Sequence, residues 1–102
     1  MTREQFLLIK LSEECAEVSQ RALKQVQFGA SEIQIGQPYT NAHRLRSELM
    51  DLCVLTVLLE EAGQFAEFDW DEFQIARASK VEKLQKYANY SRSLGTLPEI
   101  KI

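Results

Sequence analysis

Two pairs of carboxylates in this sequence have a spacing that could do chemistry. Glu14-Cys15-Ala16-Glu17 and Glu48-Leu49-Met50-Asp51 each set acids three residues apart, which puts both members on one side of a helix. Glu48 interrupts the series Leu45, Leu52, Leu55 and Leu59, otherwise one apolar helical face. Asp51 follows a turn later, flanked by Leu55 and Leu58, and Glu14 edges the stripe in the series Leu7, Leu11, Glu14, Val18. A lone buried carboxylate is costly or gives up its charge. If the two apolar stripes pack antiparallel, four carboxylates converge in a partly dry cleft, where they repel or protonate. A hard divalent cation resolves this, because Mg2+ prefers oxygen ligands and keeps waters that phosphate oxygens can replace. The competing reading of each pair is a solvated helix face. It suits Glu17 better than Glu48, whose neighbours at i-3, i+4 and i+7 are all Leu. Glu13 and Glu32 read as ordinary solvent-facing acids.

Three helices must position these residues. The first runs Arg3 to Phe28, with Thr2 as its N-cap and Gly29 just past its end. Its apolar stripe is Leu8, Leu11, Cys15, Val18, Ala22 and Val26. Gly29 to Thr40 holds two glycines and a proline without helical period, a long loop of the kind that is often functional. Thr40 or Asn41 caps the second helix, Asn41 to Ala62. Leu49, Cys53, Val54 and Val57 lie opposite its leucine stripe, so it is apolar nearly all round, the pattern of a buried helix. Asp69 followed by Glu72 reads as a capping box opening a third helix, about Trp70 to Arg92. Its apolar face is Phe73, Ala76 or Arg77, Val81, Leu84 and Ala88. The fold class is all-α, with one domain over 1–95 and a loose tail from Thr96 to Ile102. Ile33 to Ile35 is too short for a strand.

Composition narrows the function classes. At 102 residues, 45% apolar and 26% charged, the chain is an ordinary small globular domain. A net charge of -3 and the lack of a long basic run argue against general nucleic-acid binding. Cys15 and Cys53 each fall in an apolar helical pattern and read as buried thiols in a reducing compartment. No signal peptide is evident, and no apolar run reaches the roughly 18 residues a membrane span needs. A cytoplasmic location is the expectation.

On the third helix, Lys80, Lys83, Lys86 and Tyr87 offer several donors within two turns, suited to an anionic group. The alternative is a solvated basic face balancing Glu82.

Taken together, Glu13-Glu14-Cys15-Ala16-Glu17, then Glu48-Leu49-Met50-Asp51, then a basic helix with Lys83 and Tyr87, resemble the MazG-like all-α nucleoside triphosphate pyrophosphohydrolases, most closely the short, single-domain, phage-type members. The similarity extends to GQPYTNAHRLRSELMDL and KVEKLQKYANYSRSLG, nearly the whole chain. It implies Mg2+-dependent cleavage, with Mn2+ as a substitute, of an NTP or dNTP to the monophosphate and pyrophosphate. It implies Glu14, Glu17, Glu48 and Asp51 as metal ligands and catalytic residues, and phosphate contacts from Lys83 with Lys80, Lys86 or Tyr87. One departure is the long spacer between Glu17 and Glu48, whose extra length is the Gly29 to Thr40 loop. In such a mechanism Glu17 is a candidate to take a proton from water, and Glu13 a weaker one.

Two other classes compete. A di-iron carboxylate bundle needs a Glu-x-x-His pair on each of two helices, and this chain has one His and no such pair. A non-enzymatic dimerisation module, or a nucleotide-binding regulator without turnover, would use the same helices. Three helices cannot cover both faces of Leu49 to Leu59, so the expected assembly is a helical bundle completed as a homodimer or homotetramer.

Overall fold

The computed structural model describes all 102 residues, Met1–Ile102. It is all-helical: α1 spans Arg3–Phe28, α2 Asn41–Glu61 and α3 Trp70–Ser93. The chain divides into two compact units, Met1–Ala66 and Glu67–Ile102. No helix is long and apolar enough to cross a membrane.

In the first unit, each helix start is fixed by a side chain. The Thr2 hydroxyl accepts from the Gln5 amide at 3.1 Å while Gln5 Oε1 accepts from the Thr2 amide at 2.8 Å, a reciprocal box that satisfies two otherwise orphaned donors. Thr40, not Asn41, caps α2 by accepting from the His43 amide at 3.1 Å. At the far end of α1 the chain reverses at Gly29, whose φ of 92° is open to glycine and strained for other residues. The following loop is held at its base by backbone bonds from Asn41 to Glu32 and from Ala42 to Ala30.

Helices α1 and α2 pack on each other through α2's leucine series. Leu59 is fully buried, and Leu45, Leu52 and Leu55 are half-buried, as the 3-4 spacing predicts. On α1 the packed face differs from the expected stripe. Leu8, Cys15, Ala22 and Val26 are exposed, Val26 at 87%. The sheltered positions include Leu7, Leu11, Glu14, Val18, Arg21 and Gln25, so of the expected stripe only Leu11 and Val18 face inward. The sheltered series also follows 3-4 spacing, and Glu14, Arg21 and Gln25 make it the more polar of the two. Cys15 and Cys53 are both exposed free thiols in the chain, in contrast to the expected buried pair. The face of α2 bearing Leu49, Val54 and Val57 is also open, and Cys53, Val54, Val57 and Leu58 line a shallow apolar groove there.

In the second unit Asp69 caps α3, its Oδ1 accepting from the amides of Asp71 at 2.7 Å and Glu72 at 3.3 Å. Trp70 stacks on Phe73 one turn on, with centroids 5.3 Å apart. Ala88 is the buried residue of α3, while Phe73, Val81 and Leu84 of the expected apolar face are exposed. The segment after Gly95, expected to be loose, is tied back to α3. Gln85 Nε2 donates to the Ile100 carbonyl at 2.9 Å, and the Ile102 amide donates to Gln85 Oε1 at 3.0 Å.

Candidate functional site

The inward face of α1 carries Glu14, and that of α2 carries Glu48. One carboxylate oxygen each from Glu14, Glu17 and Glu48 lies within 4.8 Å of the others. Glu14 and Glu48 are half-buried and Glu17 is exposed, so the cluster sits at the rim of the helix pair. Asp51, exposed on the next turn of α2, lies outside this group, yet its charge still reaches Glu14. Two helices thus bring together three of the four acids expected from spacing. Glu13 behaves as an ordinary surface acid, paired with Lys10 at 2.9 Å.

The electrostatics follow from this geometry. Burial pushes the Glu14 carboxyl up to about 7, followed by hydrogen bonding to Glu48 and by the charges of Glu17, Glu48 and Asp51. A hydrogen bond between two carboxyls requires a proton on one of them, so that contact favours the neutral form. Glu14 Oε2 is shut off from solvent and has no donor of its own, as expected where its neighbours are other carboxylate oxygens. Glu17 is also raised, first by hydrogen bonding to Glu48, then by the Glu48 charge and by burial. Glu14, Glu17 and Glu48 are in none of the ion pairs seen at Arg3–Glu4, Lys10–Glu13 and Arg92–Glu99. The donor set is oxygen only and rich in negative charge, which fits a hard divalent cation and would give the orphaned Glu14 oxygen a partner.

The basic residues of α3 divide between two surfaces. Lys83 and Lys86 line one open cavity of about 820 Å3. Lys80 lines a separate apolar groove with Phe73, Arg77 and Val81, and Tyr87 is 65% exposed.

Three further residues matter that residue types alone did not single out. Asn41 is buried at 3% exposure; its Nδ2 donates to the Gly29 carbonyl at 2.9 Å and to Glu32 Oε1 at 3.1 Å. Glu32, expected to be a plain surface acid, is therefore an acceptor that helps shape the loop. The available signal was an Asn directly after the capping Thr40, within reach of the preceding turn. Arg21 has an Nη1 sheltered from solvent with no acceptor, on the same face of α1 as Glu14. Its position in the Leu7, Leu11, Glu14, Val18 series gives it away. The third, Gln85, has no sequence signal.

Comparisons with protein families, characterised proteins and solved structures return no match to this chain. Its own residues carry the functional argument.

Proposed function

We propose that this chain is a Mg2+-dependent nucleoside triphosphate pyrophosphohydrolase of the MazG-like kind, cleaving an NTP or dNTP to the monophosphate and pyrophosphate. The observation that carries the reading is the meeting of Glu14, Glu17 and Glu48 within 4.8 Å, with a solvent-shielded Glu14 oxygen that no donor satisfies. A surface pair of acids on one helix would not need such an approach, and like charges this close are costly without a cation.

In this reading Glu14, Glu17 and Glu48 hold the ion, with Asp51 as the fourth acid beside them; Mn2+ substitutes. A bound Mg2+ supplies neutralising charge and polarises phosphoryl oxygens. The chain's own work is to hold the acids in register on two packed helices and to handle a proton. Glu17, the exposed member, has access to an attacking water and accepts its proton. Water adds across one phosphoanhydride bond, and pyrophosphate leaves. By the same resemblance Lys83 and Lys86, which share a cavity within Glu67–Ile102, are proposed for phosphate binding, with Lys80 and Tyr87 as weaker members.

The active form in this proposal is a homodimer, or a tetramer built from dimers. The support is the open apolar face of α2, where Leu49, Val54 and Val57 are each more than two-fifths exposed in the isolated chain.

The test is pyrophosphate release from all standard ribo- and deoxyribonucleoside triphosphates, with Mg2+, with Mn2+ and with chelator. At least one triphosphate should yield equal amounts of monophosphate and pyrophosphate, dependent on the ion. No release from any of them with either metal would overturn the reading. A melting temperature indifferent to divalent ions would leave a dimerisation module as the better account.

A further inference from the structure

The cavity that holds Lys83 and Lys86 has a third cation, and it comes from the segment expected to be a loose tail. Lys101 lines the same space, and Glu82 is the one acidic side chain there. The space, about 820 Å3, is an open surface groove whose lining residues are exposed apart from the half-buried Gln85. What brings Lys101 to it is Gln85. The Gln85 side-chain amide acts on the tail as a peptide group of a neighbouring strand would, giving a hydrogen to the Ile100 carbonyl and taking one from the Ile102 amide. Its Nε2 also donates to Asn89 Oδ1 at 3.0 Å, one turn along α3, which fixes the amide's orientation. The two tail bonds bracket Lys101, so the backbone on either side of that residue is fixed.

The geometry points to a binding site for a linear polyphosphate anion, formed by Lys83, Lys86 and Lys101, with Gln85 as the positioning residue that sets the third cation. Three ammonium groups outnumber the Glu82 side chain and the backbone carboxylate of Ile102, which favours a multiply charged ligand over a single carboxylate, and a chain of phosphates offers acceptor oxygens to several lysines at once. The site extends the phosphate-binding part of the proposed function and rests on that reading of Lys83 and Lys86; the roles of Lys101 and Gln85 are additional to it.

The experiment measures binding of inorganic tripolyphosphate to the full chain by calorimetry at low salt, with chelator present to exclude metal bridging. Lys101→Met should weaken binding about tenfold, the scale of one charge-assisted hydrogen bond, and Lys101→Arg should restore it. Gln85→Leu removes no charge but should weaken binding comparably, and adding it to Lys101→Met should cost nothing more. That non-additivity separates positioning from a general loss of structure. Lys10→Met, on the other unit, should bind as wild type. Measuring ATP alongside identifies the natural source of the anion: tighter ATP binding assigns a nucleotide, and equal binding a free polyphosphate. The proposal is overturned if tripolyphosphate does not bind, if Lys101→Met binds it as wild type does, or if Gln85→Leu weakens the Lys101→Met chain further. Pyrophosphate release is scored separately. A wild type that binds through Lys101 but hydrolyses nothing keeps this site and loses the enzyme. Active enzyme with unchanged Lys101→Met binding does the reverse.

Discussion

Glu14 of α1 and Glu48 of α2 meet across the packed helix pair with carboxylate oxygens no more than 4.8 Å apart, and neither has a cationic partner. After burial, the Glu48 carboxyl does most to push Glu14 up, and it does most to push Glu17 up, so it is the electrostatic centre of the cluster. Its substitution therefore separates stability from function most cleanly.

Glu48→Gln keeps the shape and removes the charge. Without metal it should melt at or above the wild-type temperature, because repulsion on Glu14 and Glu17 is relieved. In wild type, a divalent ion at about 100 times its dissociation constant adds about 2.7 kcal/mol of stability. Glu48→Gln should lose most of that gain and nearly all pyrophosphate release, while Glu13→Gln keeps both. Thermal melts with MgCl2 and with NaCl of equal ionic strength check the first part. A Glu48→Gln chain that destabilises strongly without metal would make Glu48 a structural partner instead.

The raised carboxyls also fix the sign of the pH dependence. Glu14 titrates at about 7 in the folded chain against an ordinary 4.5, and Glu17 is shifted the same way. The folded state therefore holds protons that the unfolded chain has released, and the metal-free protein loses stability as pH rises from about 4.5 through 7. Below that window the favourable contribution is complete. Denaturation at pH 5 and pH 8 in chelator should show the decline, and Glu14→Gln should flatten it. Divalent affinity should run the other way and strengthen across the same interval, since the ion competes with those protons.

Val57 tests the assembly. Val57→Asp places a charge on the open apolar face of α2 and should convert a dimer to monomer, or unfold it, as read by sedimentation. Cys53 shares that groove with Val57, so its thiol should react slowly in wild type and quickly in a folded Val57→Asp monomer. A monomeric wild type at micromolar concentration would remove the homodimer from the proposal.

Asn41 should matter more than its loop-edge position in sequence suggests. Asn41→Ala removes the bonds to the Gly29 carbonyl and the Glu32 carboxylate from a buried position and should cost about 1–3 kcal/mol in urea denaturation. Arg44→Ala removes only the exposed bond to Gln34 at 2.9 Å and should stay within about 0.5 kcal/mol.

The helices and caps were legible because periodicity and capping are local. Arg3–Phe28 opens at Thr2 as read, and α3 opens at Asp69. Glu48 could be singled out because its neighbours were uniformly leucine. On α1 the series Leu7, Leu11, Glu14, Val18 was legible as the setting of Glu14 but not as the packed face. Glu14, Arg21 and Gln25 make it look polar beside the stripe whose Leu8, Cys15, Ala22 and Val26 face outward. The tail departs from expectation for a different reason. Its order comes from a side-chain amide fifteen residues away at Gln85, a long-range pairing that no local propensity encodes.

The closed base of the Gly29 to Thr40 loop bears on how this protein can be altered. Asn41 reaches back to Gly29 and Glu32, and Ala42 to Ala30, so the two ends of the loop are held together whatever lies between them. Ile35, at its tip, is 99% exposed and beside Gly36. Lengthening a loop whose ends are already joined costs only slowly growing closure entropy. The tip is therefore a permissive insertion point, where an epitope or fluorescent reporter could be spliced in without shifting Glu14 against Glu48.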